Sequence, residues 1–218
     1  LARLLMSSFF IIKRVKAMTD LSLPENNPLL RPSTLPYGAP EFDKIKIEHY
    51  LPAMKVAVAK ARDEIEAIKN NDALPTFENT IEALEFSGST MSHVMGVFSN
   101  MALVNTGDDI RAIEQDMNRE AVRFGNDVLL DEVLFERVKS VYQVRDRLQV
   151  TPEKKRLIEE TYEGFAKKGA LLDHEKKGEL RAINERLSEL STEFENNTVK
   201  SSEAYKKVVD NEADLAGI

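Results

Sequence analysis

Three histidines and no cysteine limit what this chain can do with a metal or a nucleophile. Only His174 starts a recognisable catalytic pattern, His174-Glu175-Lys176-Lys177-Gly178. In the zinc motif His-Glu-x-x-His, two imidazoles one helical turn apart hold the ion, and the Glu between them acts as general base toward the bound water. Gly178 stands where the second imidazole belongs, so His174 and Glu175 read as ordinary first-turn helix residues. His49, between Glu48 and Tyr50, is expected to bridge a preceding arm and the first helix by hydrogen bonds. His93, beside Val94 on a largely apolar helix, is expected to be a satisfied core or interface residue. The lack of cysteine excludes a thiol nucleophile, a disulfide framework and any Cys-ligated zinc or iron-sulfur site. No residue is assigned a catalytic, cofactor-binding or metal-binding role.

Other patterns fail on composition or context. Gly164-Phe165-Ala166-Lys167-Lys168-Gly169-Ala170 echoes a phosphate loop but lacks the Lys and hydroxyl after the second Gly and has no preceding strand, so it reads as a helix end. The acidic neighbours Asp63-Glu64, Asp108-Asp109 and Glu159-Glu160 sit at helical spacing with basic residues nearby, which favours solvated faces over a carboxylate dyad. Lys154-Lys155-Arg156 is short and followed by Glu159 and Glu160, so it is not a polyanion site. Met91, Met95 and Met101 lie near one stripe and read as adaptable core filler. With 30 basic and 37 acidic residues the net charge is −7, a field that repels nucleic acid.

The elements that must carry these residues are helical. With 218 residues, 42% of them hydrophobic and 31% charged, the chain can bury a sizeable core of one domain. Residues 1–17 form a leader of uncertain status; its apolar run of about nine residues is too short to span a bilayer, which needs roughly 20. Its basic residues follow that run, contrary to a secretory signal, and Met18 reads as a natural start. Pro24, Pro28, Pro32, Pro36 and Pro40 recur every four residues, so residues 18–45 cannot be helical and form an extended, Pro-rich arm. Its Leu29, Leu30, Leu35, Tyr37 and Phe42 argue for an arm that packs on something.

Apolar spacing of three and four then predicts six helices over residues 46–218. The first covers 46–70, with Tyr50, Leu51, Met54, Val58, Ala61, Ile65 and Ile68 inward. The second covers 77–104, capped by Thr76 and weakened at Ser87-Gly88-Ser89. The third covers 109–126, stopped by Gly125-Asn126. The fourth starts at Asp131 and carries Val133, Leu134, Val138, Val141, Tyr142 and Leu148. The fifth follows Thr151-Pro152-Glu153 and runs to about 168. The last, 173–208, would be on the order of 50 Å long. Its Leu180, Ile183, Leu187, Leu190 and Phe194 alternate three and four apart, a coiled-coil-like seam. Residues 211–218 read as a loop. No segment alternates with strand period, so the fold class is all-α.

Pro36-Tyr37-Gly38-Ala39-Pro40-Glu41-Phe42-Asp43-Lys44-Ile45 followed by Glu48-His49-Tyr50-Leu51-Pro52-Ala53, then Thr76-Phe77-Glu78-Asn79-Thr80-Ile81 with Leu84-Glu85, and finally Leu215-Ala216-Gly217-Ile218, resemble the N-terminal signature of the thimet oligopeptidase family, which includes oligopeptidase A and peptidyl-dipeptidase Dcp. The resemblance covers roughly residues 27–218 and is closest to the dipeptidyl-carboxypeptidase branch. It implies one lobe of a larger zincin-like peptidase, cut before its catalytic domain, with zinc and its ligands outside this chain. It also implies short peptides as substrates, the missing catalytic lobe as partner, a cytoplasmic location, and apolar surface left uncovered on the arm (Leu29, Leu30, Phe42) or the first two helices. A non-enzymatic helical module pairing through the Leu180 to Phe194 seam is the alternative.

Overall fold

Asn27 opens the described chain by folding its own arm. Its side-chain oxygen accepts from the Leu29 N–H at 3.0 Å, its carbonyl accepts from the Leu30 N–H at 3.1 Å, and its amide donates to the His49 carbonyl at 2.9 Å. That tight turn, with Pro28 in its second position, drives Leu29 into the core at 2% exposure. The computed structural model describes residues 27–104, 107–206 and 208, and the 1–17 leader and the 211–218 loop lie outside them. Among the described residues the regular structure is entirely helical.

The rest of the arm is organised by one buried carboxylate. Glu41 accepts from the Thr34 hydroxyl at 2.6 Å, Lys44 at 2.9 Å and Arg31 at 3.0 Å. The Thr34 hydrogen bond foremost, then Lys44 and the Arg31 charge, hold its pKa at about 2 against burial, which works the other way. A carboxyl whose folded pKa lies below its unfolded value of 4.5 stabilises the fold above that value, and the stabilisation is lost as pH falls toward 2. In chemical denaturation, Glu41→Gln is therefore expected to be less stable than the parent at pH 7, with the gap closing between pH 4.5 and 2. A gap independent of pH would show that the charge is not what holds the arm. Uncovered apolar surface was expected on Leu29, which is instead buried because the Asn27 turn aims it inward; Phe42 is half-exposed.

Helix α1 (Ile47–Lys69) starts without a conventional cap, since the Lys46 ammonium cannot accept a hydrogen bond; His49 Nδ1 instead accepts one from the Lys46 N–H at 3.0 Å. Pro52 lies in the second turn, where its missing N–H leaves the Glu48 carbonyl without its i+4 donor. Ala53, Ala57 and Ala61 line one face, and small side chains there let α1 sit close to its neighbours.

The second predicted helix is broken rather than continuous. A π-helical turn, Phe77–Glu82, leads into α2 (Ala83–Phe86); Thr76 and Asn79 cap each other's backbone N–H groups at 3.2 and 2.8 Å. Ser87 then turns extended and Gly88 adopts φ +69°, so the chain redirects into α3 (Ser89–Val104). Glu64 on α1 secures the corner by accepting the Gly88 N–H at 2.8 Å.

Helix α4 (Asp108–Leu129) runs through Gly125-Asn126, where a stop was expected. Gly125 keeps a negative φ, and the buried Asn126 uses its side chain sideways, accepting from Asn184 at 2.7 Å, instead of capping its own helix. Asp131 caps α5 (Glu132–Val144), accepting from the Leu134 N–H at 2.8 Å and from Lys69 at 2.8 Å. The chain tightens into a 3₁₀ turn, Arg145–Arg147, before Leu148, which therefore packs from outside the helix; Val133 is exposed. Helix α6 (Pro152–Lys167) follows the Thr151 cap, and its end is a Schellman closure: Gly169 N–H to Ala166 O at 3.3 Å and Ala170 N–H to Phe165 O at 3.0 Å, with Gly169 at φ +103°. Helix α7 (His174–Ala204) is capped by Asp173 and ends four residues short of the expected 208.

The core lies where α1, α3 and α4 meet and continues to α5 and α6. Tyr50 meets Phe98 edge-on at 5.4 Å, while Tyr142 stacks on Tyr162 at 3.9 Å with Arg145 over the Tyr142 ring at 4.0 Å.

Candidate functional site

The histidines are kept apart by role. His49 has committed Nδ1 to the start of α1 and its carbonyl to Asn27, the bridging expected of it. His93 is exposed on α3, not in the core: Val94 and Val97 face inward, and His93, one residue before Val94, turns to solvent. His174 and Glu175 are exposed in the first turn of α7. Among the described residues no group of three or more His, Asp or Glu could hold a metal ion, so these side chains do not fit a zinc site.

The charged pairs are likewise occupied locally. Asp108 meets Arg111 at 3.0 Å, and Glu159 lies 3.6 Å from Arg145. Lys154, Lys155 and Arg156 face Glu82, Asp146 and Glu160 at 3.8, 2.7 and 2.8 Å, so this cluster presents little free positive charge. Met91, Met95 and Met101 pack partly buried against the core. Among the described residues no helix is long and apolar enough to cross a membrane.

What the fold does present is α7, which lies along α4 with its polar side inward. Asn184 bonds Asn126 at 2.7 Å, Thr192 accepts from Asn118 at 3.0 Å, and Asn196 donates to Glu114 at 3.1 Å. Arg123 reaches Glu185 at 3.3 Å, Arg181 pairs with Asp127, and the buried Lys177 meets Glu132 at 3.2 Å. The seam therefore faces out: Ile183 is 59% exposed, Leu187 60%, Leu190 44% and Phe194 72%. At its C-terminal end Phe194 borders a groove of about 550 Å³ between α3, α4 and α7, walled by Phe98, Leu103 and Val199.

Residues 54–177 match the family model described as Neurolysin/Thimet oligopeptidase, N-terminal domain. The chain belongs to the thimet oligopeptidase family. Within it, the dipeptidyl carboxypeptidases of Salmonella typhimurium and Escherichia coli are 39% and 36% identical over 192 residues, 88% of this chain. Oligopeptidase A of Escherichia coli is 26% identical over the same length. The chain spans about 28% of the length of these curated relatives.

For a thimet oligopeptidase N-terminal region, the polar partners on α4 are the residues that sequence reasoning missed. Asn118, Asn126 and Asp127 follow no apolar period, and only the pairing of two buried polar helix faces reveals them. A partial signal existed in the asparagines Asn184 and Asn196, twelve residues apart on the side of α7 away from its seam.

Proposed function

We propose that the full-length protein is a zinc-dependent peptidase of short peptides that releases C-terminal dipeptides in the cytoplasm, and that this chain supplies a wall of its substrate channel. The carrying observation is the higher identity to two dipeptidyl carboxypeptidases, 39% and 36%, than to oligopeptidase A, 26%. On this reading residues 46–218 are a helical domain preceding the catalytic one, the arm at 18–45 buttresses it, and zinc and its ligands lie in the remainder of the polypeptide. The committed His49 and the isolated His93 and His174 support that division of labour.

The test is product analysis. The full-length protein, given an unstructured peptide, should yield a mass ladder that shortens by two residues from the C-terminus, and a chelator should stop it. Internal fragments alone would place it with endopeptidases. The 218-residue chain should neither cleave the peptide nor hold zinc; one tightly held zinc per chain would overturn the wall reading.

A second reading, a non-enzymatic module pairing through Leu180 to Phe194, is favoured by the exposure of that seam. Two heptads are few for it, because coiled-coil pairing is argued from about three or four in succession. Beyond Phe194 the next seam positions are Asn197 and Ser201.

A further inference from the structure

We infer that the outer stripe of α7, from Ile183 to Phe194, with the groove beyond Phe194, is the docking face for one apolar helix of the polypeptide that follows residue 218. This rests on the reading that a catalytic part follows this chain.

A helix of a water-soluble fold normally turns its apolar stripe to the core and its polar side outward. Helix α7 does the reverse: Asn184, Thr192 and Asn196 hold it to α4, and Ile183, Leu187, Leu190 and Phe194 face away. The stripe from Ile183 to Phe194 extends about 17 Å at 1.5 Å per residue, and its three-four spacing accepts the ridge of a second helix. Phe194 joins it to the groove lined by Phe98, Leu103 and Val199, deep enough for a large side chain from that helix.

Other occupants fit less well. A peptide substrate of arbitrary sequence is held mainly through its backbone, and the side of a helix has no free N–H or C=O to offer it. A second copy would have to pair through a short seam that ends at Asn197 and Ser201. The continuation meets neither objection. The matched stretch is 28% of each dipeptidyl carboxypeptidase and carries an N-terminal domain, so most of a relative's length comes after it.

The 218-residue chain has no cysteine, so Leu187→Cys and, separately, Ile183→Cys place its one thiol on the stripe. Alkylation is followed peptide by peptide by mass spectrometry in the 218-residue chain and the full-length protein, with hydrogen exchange of α7 in the unsubstituted proteins as the second measurement. Alkylation at least tenfold slower in the full-length protein, with slower exchange across 183–194, is the expected result. Equal rates in both proteins overturn the docking face. Protection that rises with concentration of the 218-residue chain assigns the stripe to a second copy, and protection that needs added peptide assigns it to substrate; either overturns the inference. Peptidase activity is assayed on the same preparations: activity with an unshielded reporter sinks the docking face and leaves the proposed function, while a shielded reporter without activity does the opposite.

Discussion

Truncating Phe98 to alanine should cost the 218-residue chain about 4 kcal/mol of unfolding free energy, within the range for emptying a buried aromatic site. Phe98 is 1% exposed, meets Tyr50 edge-on at 5.4 Å and backs the groove between α3, α4 and α7. Removing its ring forfeits both the transfer term and the contacts of a site that α1 and α3 cannot collapse without moving the Ala53 to Ala61 face. Phe194→Ala, on the far side of the same groove, should change stability by no more than about 0.5 kcal/mol, because an exposed side chain loses little on truncation. The check is the midpoint of urea unfolding at an unchanged slope. Comparable losses at the two positions would show that α7 closes over its own stripe.

Gly169→Ala should cost about 3 kcal/mol, measured the same way. The residue holds φ +103°, a conformation that L side chains rarely adopt, and a Cβ there would overlap the Leu180 side chain with Leu172 and Leu130 at 3.2 and 3.3 Å. Gly125→Ala is the matched opposite. It sits inside α4 at negative φ, with nothing within 4 Å of the added carbon, and should gain up to about 1 kcal/mol. Both glycines stand after a run of helical residues, yet only Gly169 closes one. Leu180 and Leu130 crowd the first and nothing crowds the second.

That contrast explains what could be read in advance. The inward face of α1 and, Val133 apart, that of α5 were legible because a period of three and four is a local record of burial, and Thr76, Asp131, Thr151 and Asp173 announce helix starts through their own oxygens. The run through Gly125-Asn126 was not, because Asn126 owes its place to Asn184, 58 residues away. The core half of the expectation for His93 failed for a similar reason: an apolar neighbourhood along the chain says little about which side of a helix one residue occupies. The seam on α7 was visible as a pattern, but a pattern records that a stripe will be covered and not by what. In this chain the inward side of that helix is the polar one, which periodicity of apolar residues cannot report.

The polar packing of α7 has a bearing on how such a protein is made. Ribosomes deliver the N-terminal part first, so a helix destined for a later neighbour has to wait without wandering. Amide, hydroxyl and charge pairs spaced along α4 give one alignment and penalise every shifted one, since each slip breaks several of these part-buried hydrogen bonds at once. The nascent rod can thus be set in its final register while its water-averse side is still vacant.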